Sequence, residues 1–236
     1  MVVRNPESEY FFADYADSWW DDESELKPLR SFNRCRFEYF DRFIERGWAD
    51  KRVLDVGCGG GYTTEFLHSR GCRVYGLDVS ERLIASARKH AEETGRGIEY
   101  TTGSSDALPY PDASFDVITC LDVLEHVQNP AQAVQEIHRV LTPGGIFLYD
   151  TINRTFRSQL IMIWLAERIL GVIPKGAHVW HDFITPAEML AYLGSSGFTP
   201  LGRPAGISVR NRNKDGSLRM STTRTLSTIF MGAARR

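Results

Sequence analysis

The sequence predicts an α/β fold with a doubly wound, mostly parallel sheet. From residue 51 to residue 150, short strand patterns alternate with helical patterns. The strand segments are continuously apolar, which is typical of a parallel sheet covered by helices on both faces. A glycine-rich segment follows the first strand directly, as in the ligand-binding turn of such sheets. We therefore assign residues 51–236 to this domain, with a helical cap at 1–50 before it and an insertion at 151–184 within it.

Each element has a local signal in the sequence. Aromatic residues at helical spacing fill the cap. The predicted strands are apolar or β-branched segments: Arg52–Val56, Arg73–Leu77, Ile98–Thr101, Phe115–Cys120, Ile146–Asp150, Phe198–Leu201 and Leu226–Ala233. The predicted helices are Tyr62–Arg70, the segment from Ser80 to Glu93, Pro130–Leu141 and the segment from Thr185 to Leu193. The polar stretch Arg210–Arg224 lies between the closing strands and contains the turn signal Asp215-Gly216.

Composition narrows the classes of function. The formal net charge of −2 gives no general attraction to nucleic acids or anionic lipids. The four cysteines show neither a CxxC pair nor zinc-ligand spacing, which favours a reduced, cytoplasmic setting. The first ten residues lack the pattern of a secretory signal, and no apolar run has the length of a membrane span.

The strongest functional signal is the segment Val53-Leu54-Asp55-Val56-Gly57-Cys58-Gly59-Gly60-Gly61. Gly57 and Gly59 permit a sharp turn and the close approach of a ligand, so we predict that they form a cofactor site with Cys58 between them. Asp78 ends the second strand, where an acidic side chain accepts the hydroxyls of a bound ribose, and Val79 follows it.

Two classes of protein share this glycine and aspartate pattern, the dinucleotide oxidoreductases and the methyltransferases. Tyr62 stands where a dinucleotide-binding loop has its third glycine. Asp55, within the first strand, would repel a pyrophosphate but attract an ammonium group. S-adenosylmethionine carries an ammonium group and a sulfonium, so the pattern favours a methyltransferase that uses this cofactor. In the loop Gly103–Pro109, Asp106 is placed to bind the adenine amine, with Ala107 beside it.

These segments, with Phe115-Asp116-Val117-Ile118 and Leu141-Thr142-Pro143-Gly144-Gly145, resemble the motif series of the Rossmann-like methyltransferase superfamily. A closer resemblance covers about residues 14 to 192. It is to the O-methyltransferases of ubiquinone biosynthesis of the UbiG type. The matching segments are Trp19-Trp20-Asp21, Glu25–Leu29, Phe32–Arg36, Cys120–Val127, Thr151–Arg154 and Val172–His178.

The resemblance implies methyl transfer to a phenolic hydroxyl of a polyprenylated ring with adjacent hydroxyls. It implies that Arg36 binds the carboxylate of the cofactor, and that Gly57 and Asp78 bind its methionine and ribose parts. The backbone near Leu121 would flank the adenosine or the sulfonium. His178, in the insertion, belongs to one of the matching segments and would lie near the entry of the acceptor.

Methyl transfer to a phenol requires removal of the phenolic proton. A phenol has a pKa near 10, so forming its phenolate at pH 7 costs about 4 kcal/mol. Three residues follow the fourth strand at the ligand-binding edge of the sheet: Asp122, Glu125 and His126. Related proteins have Glu-x-x-Glu-His here, and the resemblance implies a divalent metal such as Mg²⁺ or Zn²⁺ at these residues. The alternatives are His126 as a base, with Glu125 and without metal, or a structural role for the segment.

The insertion contains the apolar stretch 156–173, flanked by basic residues. Such a stretch can lie in a bilayer interface, and the resemblance favours this peripheral membrane contact. The alternative is a lid helix that packs on the domain.

Other functions stay open from the sequence. Gly206–Arg212 departs from the related proteins in a region that shapes the acceptor pocket, so another phenol or a natural-product hydroxyl is an alternative. The basic stretch from Arg203 to Arg224 keeps a nucleic-acid methyltransferase as a weaker alternative, although we expect no nucleic-acid partner. A cofactor-binding protein without catalysis is the remaining class.

Overall fold

The computed structural model describes residues 8–169 and 175–236, and its centre is one eight-stranded sheet. The strands are β1 (Arg52–Val56), β2 (Arg73–Asp78), β3 (Glu99–Thr102), β4 (Phe115–Cys120), β5 (Leu141–Ile152), β6 (Thr199–Arg212), β7 (Leu218–Thr223) and β8 (Ile229–Arg235). Their order in the sheet is β3-β2-β1-β4-β5-β8-β6-β7. Strands β1 to β5 pair in parallel, whereas β8 pairs antiparallel with both β5 and β6. The predicted doubly wound, mostly parallel sheet is thus confirmed.

Helices cover both faces of the sheet. The α-helices are α1 (Phe32–Phe40), α2 (Tyr62–His68), α3 (Glu81–Glu93), α4 (Pro130–Val140), α5 (Phe156–Ser158) and α6 (Pro186–Ser195). Helix α5 continues as a π-helical segment, Gln159–Ile169. Short 3-10 helices are Ser8–Ser18, Lys27–Ser31, Asp41–Phe43 and Trp180–Asp182. The predicted N-cap is present, since Ser80 Oγ accepts a hydrogen bond from the N–H of Leu83 at 3.3 Å.

The apolar side chains of the strands pack in two separate hydrophobic cores. Val53 of β1 packs in one core with Phe37 of α1 and Leu67 of α2. Its neighbour Leu54 packs in the other core with Ile137 of α4. Successive residues of a strand point to opposite faces, so a strand that is apolar at both must lie between two layers of helices.

The C-terminal part differs from the prediction. Strand β6 extends to Arg212, turns near Asp215-Gly216 and returns as β7 through the polar stretch. The sequence pattern underestimated this hairpin because edge strands tolerate polar residues on both faces when backbone pairing holds them. The hairpin reaches the cap, where Ser31 Oγ accepts a hydrogen bond from the N–H of Leu218 at 2.9 Å.

The topology brings the carboxyl ends of β1, β2 and β4 together. The chain runs outward from β1 to β3 on one side and from β4 to β5 on the other, which makes the edge above β1 the expected ligand site. The cap lies over this edge, where Ser86 Oγ of α3 donates to the carbonyl of Ala16 at 2.7 Å. Residues 1–7 of the predicted cap and 170–173 of the predicted membrane segment lie outside the described residues. Within the described residues, no helix is long and apolar enough to cross a membrane.

Candidate active site

The loop between β1 and α2 borders a cavity at the carboxyl edge of the sheet. The N–H groups of Gly57 and Cys58 both donate to the carbonyl of Leu77, at 2.7 and 3.0 Å. Gly57 has a φ of +71°, and a Cβ there would lie 2.3 Å from Cγ2 of Val123. A larger residue at this position would have neither a comfortable backbone conformation nor space. The predicted loop residues Gly57, Cys58 and Gly59 all line the cavity.

Asp78 ends β2 beside this loop. Its Oδ2 accepts a hydrogen bond from the N–H of Gly59, and its Oδ1 accepts one from the N–H of Ser80, both at 2.9 Å. The carboxylate therefore fixes both the glycine loop and the start of α3 while it lines the cavity together with Val79. Its predicted bond to a ribose fits this position and stays a prediction.

Asp55 presents a buried acceptor to the cavity. Its Oδ1 accepts a hydrogen bond from Thr119 Oγ1 at 2.6 Å, whereas no hydrogen-bond donor of the described chain reaches Oδ2. Burial raises the pKa of this carboxyl to about 7, against the lowering effect of the bond from Thr119. An unsatisfied buried oxygen on a cavity wall is costly unless a ligand or water donates to it. A cationic ammonium group is the donor that such a carboxylate binds most strongly.

Arg36 of α1 lines the same cavity. Two carboxylates of the protein accept hydrogen bonds from two of its three guanidinium nitrogens. Its Nε donates to Asp150 Oδ2 at 2.5 Å and its Nη2 donates to Asp122. Burial would lower the pKa of Arg36, but the two carboxylates outweigh it and raise the pKa. Neither bond uses Nη1, so Nη1 is the nitrogen that we assign to the predicted bond with a ligand carboxylate.

The predicted metal residues are not brought together as a ligand set. The carboxylate of Asp122 is paired with Arg36, and Asp122 has a φ of +56°, which is strained for a residue with a side chain. Glu125 Oε2 accepts a hydrogen bond from Thr151 at 2.8 Å, and Glu125 does not line the cavity. Within the described part of the chain, no group of three or more His, Cys, Asp and Glu side chains could hold a metal ion. The residues present therefore do not fit a divalent cation in this arrangement.

Burial raises the pKa values of two acids near Asp122. It raises the pKa of Glu125 to about 8, and the nearby charge of Asp122 raises it further. Burial likewise raises the pKa of Asp150 to about 7, although the charge of Arg36 opposes this.

Other predicted residues lie at or near the cavity wall. Leu121 and His126 line it, as does the backbone segment Gly103-Ser104-Ser105. Asp106 and Ala107 lie just behind that segment, and Asp106 Oδ1 accepts a hydrogen bond from Ser104 Oγ at 2.5 Å. Their predicted contact with adenine stays a prediction.

The cap contributes residues that sequence reasoning did not assign to the site. Trp19 packs on the glycine loop so closely that a Cβ at Gly60 would lie 2.4 Å from its ring. Trp20 Nε1 donates to the carbonyl of Gly60 at 2.8 Å. The indole Nε1 of Trp19 is buried and has no acceptor within the described residues. The adjacent tryptophans were the available signal, but only the folded chain places one of them on the loop.

Part of the cavity wall is apolar and carries two histidines. This part, the chamber, is lined by Phe12, His126, Ile152, Met162, His178 and Ile229. The ring centroids of His126 and His178 are 5.4 Å apart. The whole cavity holds about 1370 Å³ of empty space, part of it open to solvent.

Comparison with known proteins agrees with this arrangement. Residues 54–149 match the family model described as a methyltransferase domain. The chain is 40% identical over 188 residues to the ubiquinone biosynthesis O-methyltransferase of Azoarcus sp. (strain BH72), and the match covers 79% of each chain. It is 42% identical over 186 residues to the protein of the same name from Hahella chejuensis, covering 78% of this chain and 77% of that one. These matches confirm the resemblance that the motifs indicated.

A solved structure supports the fold alone. A SAM dependent methyltransferase from Aquifex aeolicus superposes with a TM-score of 0.64 at 19% identity. The superposition covers 94% of this chain and 97% of that one.

Proposed function

Because the chain belongs to the family of the ubiquinone biosynthesis O-methyltransferases, we propose that it methylates a phenolic hydroxyl of a polyprenylated ring. The chain is an S-adenosylmethionine-dependent methyltransferase with a Rossmann-like fold. One observation supports the acceptor class above all. The cavity is lined by Asp55 of β1 and Asp78 of β2, and it includes the apolar chamber with its two neighbouring histidines. A cationic donor fits the two carboxylates, and an aromatic alcohol fits the chamber.

The donor lies against the two carboxylates in this proposal. Its ammonium group pairs with Asp55, its carboxylate binds Nη1 of Arg36, and its ribose hydroxyls bind Asp78. When bound, the donor supplies an electrophilic methyl group on a positively charged sulfur. The ends of β1 and β2 and the glycine loop would hold the donor beside Leu121, which would orient the reacting groups before transfer.

In this proposal, one side of the His126 ring contacts the acceptor ring and the other side contacts Phe12. The rings of Phe12 and His126 meet edge to face, with centroids 5.7 Å apart. Glu125 supports the loop from behind through Thr151 and does not itself reach the acceptor. No step is assigned to a divalent metal, because Asp122 is held by Arg36.

The activity is tested with labelled S-adenosylmethionine and a short-tailed 3-demethylubiquinol analogue. We expect label in the phenolic ether, and less transfer to an untailed catechol, because the chamber is apolar. Binding of the donor without transfer to either acceptor would contradict the proposed acceptor class. The same assay with EDTA and with added Mg²⁺ or Zn²⁺ tests the metal. Loss with EDTA and restoration by the metal would require Asp122 to leave Arg36 and join Glu125 and His126.

We also propose that the insertion contacts the membrane surface. One side of the helix 156–169 exposes four large apolar side chains: Phe156 (77% exposed), Leu160 (51%), Trp164 (53%) and Leu165 (41%). The buried Met162 of the same helix lines the cavity. An apolar face beside the acceptor chamber suits a substrate whose tail stays in the bilayer.

Replacing Trp164 and Leu165 together with glutamate should abolish co-sedimentation with liposomes, because charged side chains resist burial in the interface. The matched control is Leu190→Glu, a leucine that is 53% exposed on a different helix, α6. Transfer to a short-tailed acceptor in detergent should persist in both variants. Unchanged sedimentation of the double variant would contradict the membrane contact.

A further inference from the structure

A carboxylate and a histidine of the insertion form a buried pair at the chamber wall. Glu167 is 2% exposed and the side chain of His178 is 8% exposed. His178 Nδ1 lies 2.7 Å from Glu167 Oε1. The N–H of Gly176 donates to Glu167 Oε2 at 2.9 Å. Both oxygens of the glutamate therefore have partners, and its position relative to the ring is fixed.

This contact sets the tautomer of the imidazole. An ionised carboxylate can only accept hydrogen bonds, so the neutral ring of His178 carries its hydrogen on Nδ1. Nε2 then keeps its lone pair. Since His178 lines the cavity and Glu167 holds Nδ1, Nε2 is the polar atom that the ring has left for a ligand.

The surroundings restrain the ring further. Its centroid lies 5.8 Å from that of Phe183 in an edge-to-face contact, and 5.4 Å from that of His126. Both histidines line the cavity, and His178 is paired with a buried glutamate. A base oriented by a third group is the arrangement that activates hydroxyl nucleophiles in enzymes.

We propose that His178 is the catalytic base of the transfer and that Glu167 is its positioning residue, an inference that rests on the proposed function. The acceptor hydroxyl donates its proton to Nε2 of His178. The oxygen forms a bond to the methyl carbon, and the bond between that carbon and the donor sulfur breaks. The electron pair of the broken bond stays on sulfur, which becomes a neutral thioether. The imidazolium later releases the proton to solvent.

The test compares single-site variants by kcat, acceptor KM and donor Kd. His178→Ala should lower kcat by about 10²–10³-fold, within the range of general-base catalysis, and leave the donor Kd unchanged. Added imidazole should restore part of the rate, which a purely structural role does not predict. His126→Ala should mainly raise the acceptor KM. The matched control is His181→Ala, an exposed histidine three positions along the chain, which should match the wild type.

The role of Glu167 has its own spectroscopic signature. In protein with ¹⁵N-labelled histidine rings, the wild-type His178 signals should show the Nδ1–H tautomer. Glu167→Gln should shift them toward Nε2–H and lower kcat by about 10-fold. The wild-type spectrum requires no variant to be active. An Nε2–H tautomer in the wild type would overturn the proposal even if His178→Ala failed to fold.

Two further outcomes are decisive. Wild-type transfer with a kcat of His178→Ala near the wild-type value, or imidazole rescue of His126→Ala instead, would overturn this inference and keep the proposed function. Donor binding without any transfer by the wild type would overturn the proposed function itself.

Discussion

Asp55→Asn should raise the Kd for S-adenosylmethionine by about 30- to 150-fold, which corresponds to about 2–3 kcal/mol for a buried charge pair. The variant keeps an oxygen to accept the hydrogen bond of Thr119, so the sheet should fold normally. It places an uncharged amide where the carboxylate would meet the ammonium group. Calorimetric titration of the free protein measures the change.

Asp116→Asn is the matched control. Asp116 lies on β4, next to β1, and binds Arg52 at the opposite end of the sheet. Its replacement should leave the donor Kd unchanged. Equal Kd values for Asp55→Asn and the wild type would contradict the placement of the ammonium group at Asp55.

The same carboxylate predicts how donor binding depends on pH. Burial raises the pKa of Asp55 to about 7 in the free protein, so the group is mostly neutral below pH 7 and mostly ionised above it. The donor ammonium pairs with the ionised form. Affinity should therefore increase as the pH rises through 7 and decrease again above about 8, where an α-amino group loses its proton. Asp55→Asn should lose the increase between pH 6 and 7 but keep the decrease above about 8.

Arg36→Met should lower the free energy of unfolding by about 3–5 kcal/mol, the usual effect of leaving a buried charge without its partner. Methionine replaces the buried stem but leaves Asp122 and Asp150 without a cation. Asp150 is fully buried and depends on Arg36 for the bond to its Oδ2. Urea unfolding of the ligand-free protein measures the effect separately from any loss of donor binding.

The pH dependence of this deficit has a definite sign. The charge of Arg36 lowers the pKa of Asp150, so its removal raises that pKa further above the value in the unfolded chain. A group whose folded pKa is raised contributes stability at low pH that is lost as the pH rises. The deficit of Arg36→Met should therefore stay nearly constant below about pH 6 and grow as the pH rises through 7 to 8.

Two variants check this account of Arg36. Adding Asp150→Asn should recover part of the lost stability, because it removes one stranded charge. Arg34→Met changes an exposed arginine on the same helix, which pairs with Glu38 among the described residues, and should stay within about 0.5 kcal/mol of the wild type. A deficit that is the same at pH 5 and pH 8 would contradict the role of Asp150.

The fold could largely be predicted from the sequence because its signals are local. Apolar runs, capping residues and the turn glycines specify strands and helices within a few residues of themselves. The placement of Asp55 and Asp78 followed as well, since parallel strands bring their carboxyl ends to one edge. The hairpin of β6 and β7 was underestimated, because polar edge strands depend on pairing rather than on periodicity.

The chemistry of the site depended on contacts between distant parts of the chain. The sequence indicated a metal ligand set of Asp122, Glu125 and His126. The fold instead brings Arg36 to Asp122 from 86 residues away and places Glu125 behind the cavity wall. Glu167 appeared only as a charge that interrupts an apolar stretch, until folding set it against His178. Local patterns determine which elements form and which edge of the sheet carries Asp55 and Asp78. Only tertiary packing decides which charges pair and which are buried, because both depend on neighbours that sequence spacing does not specify.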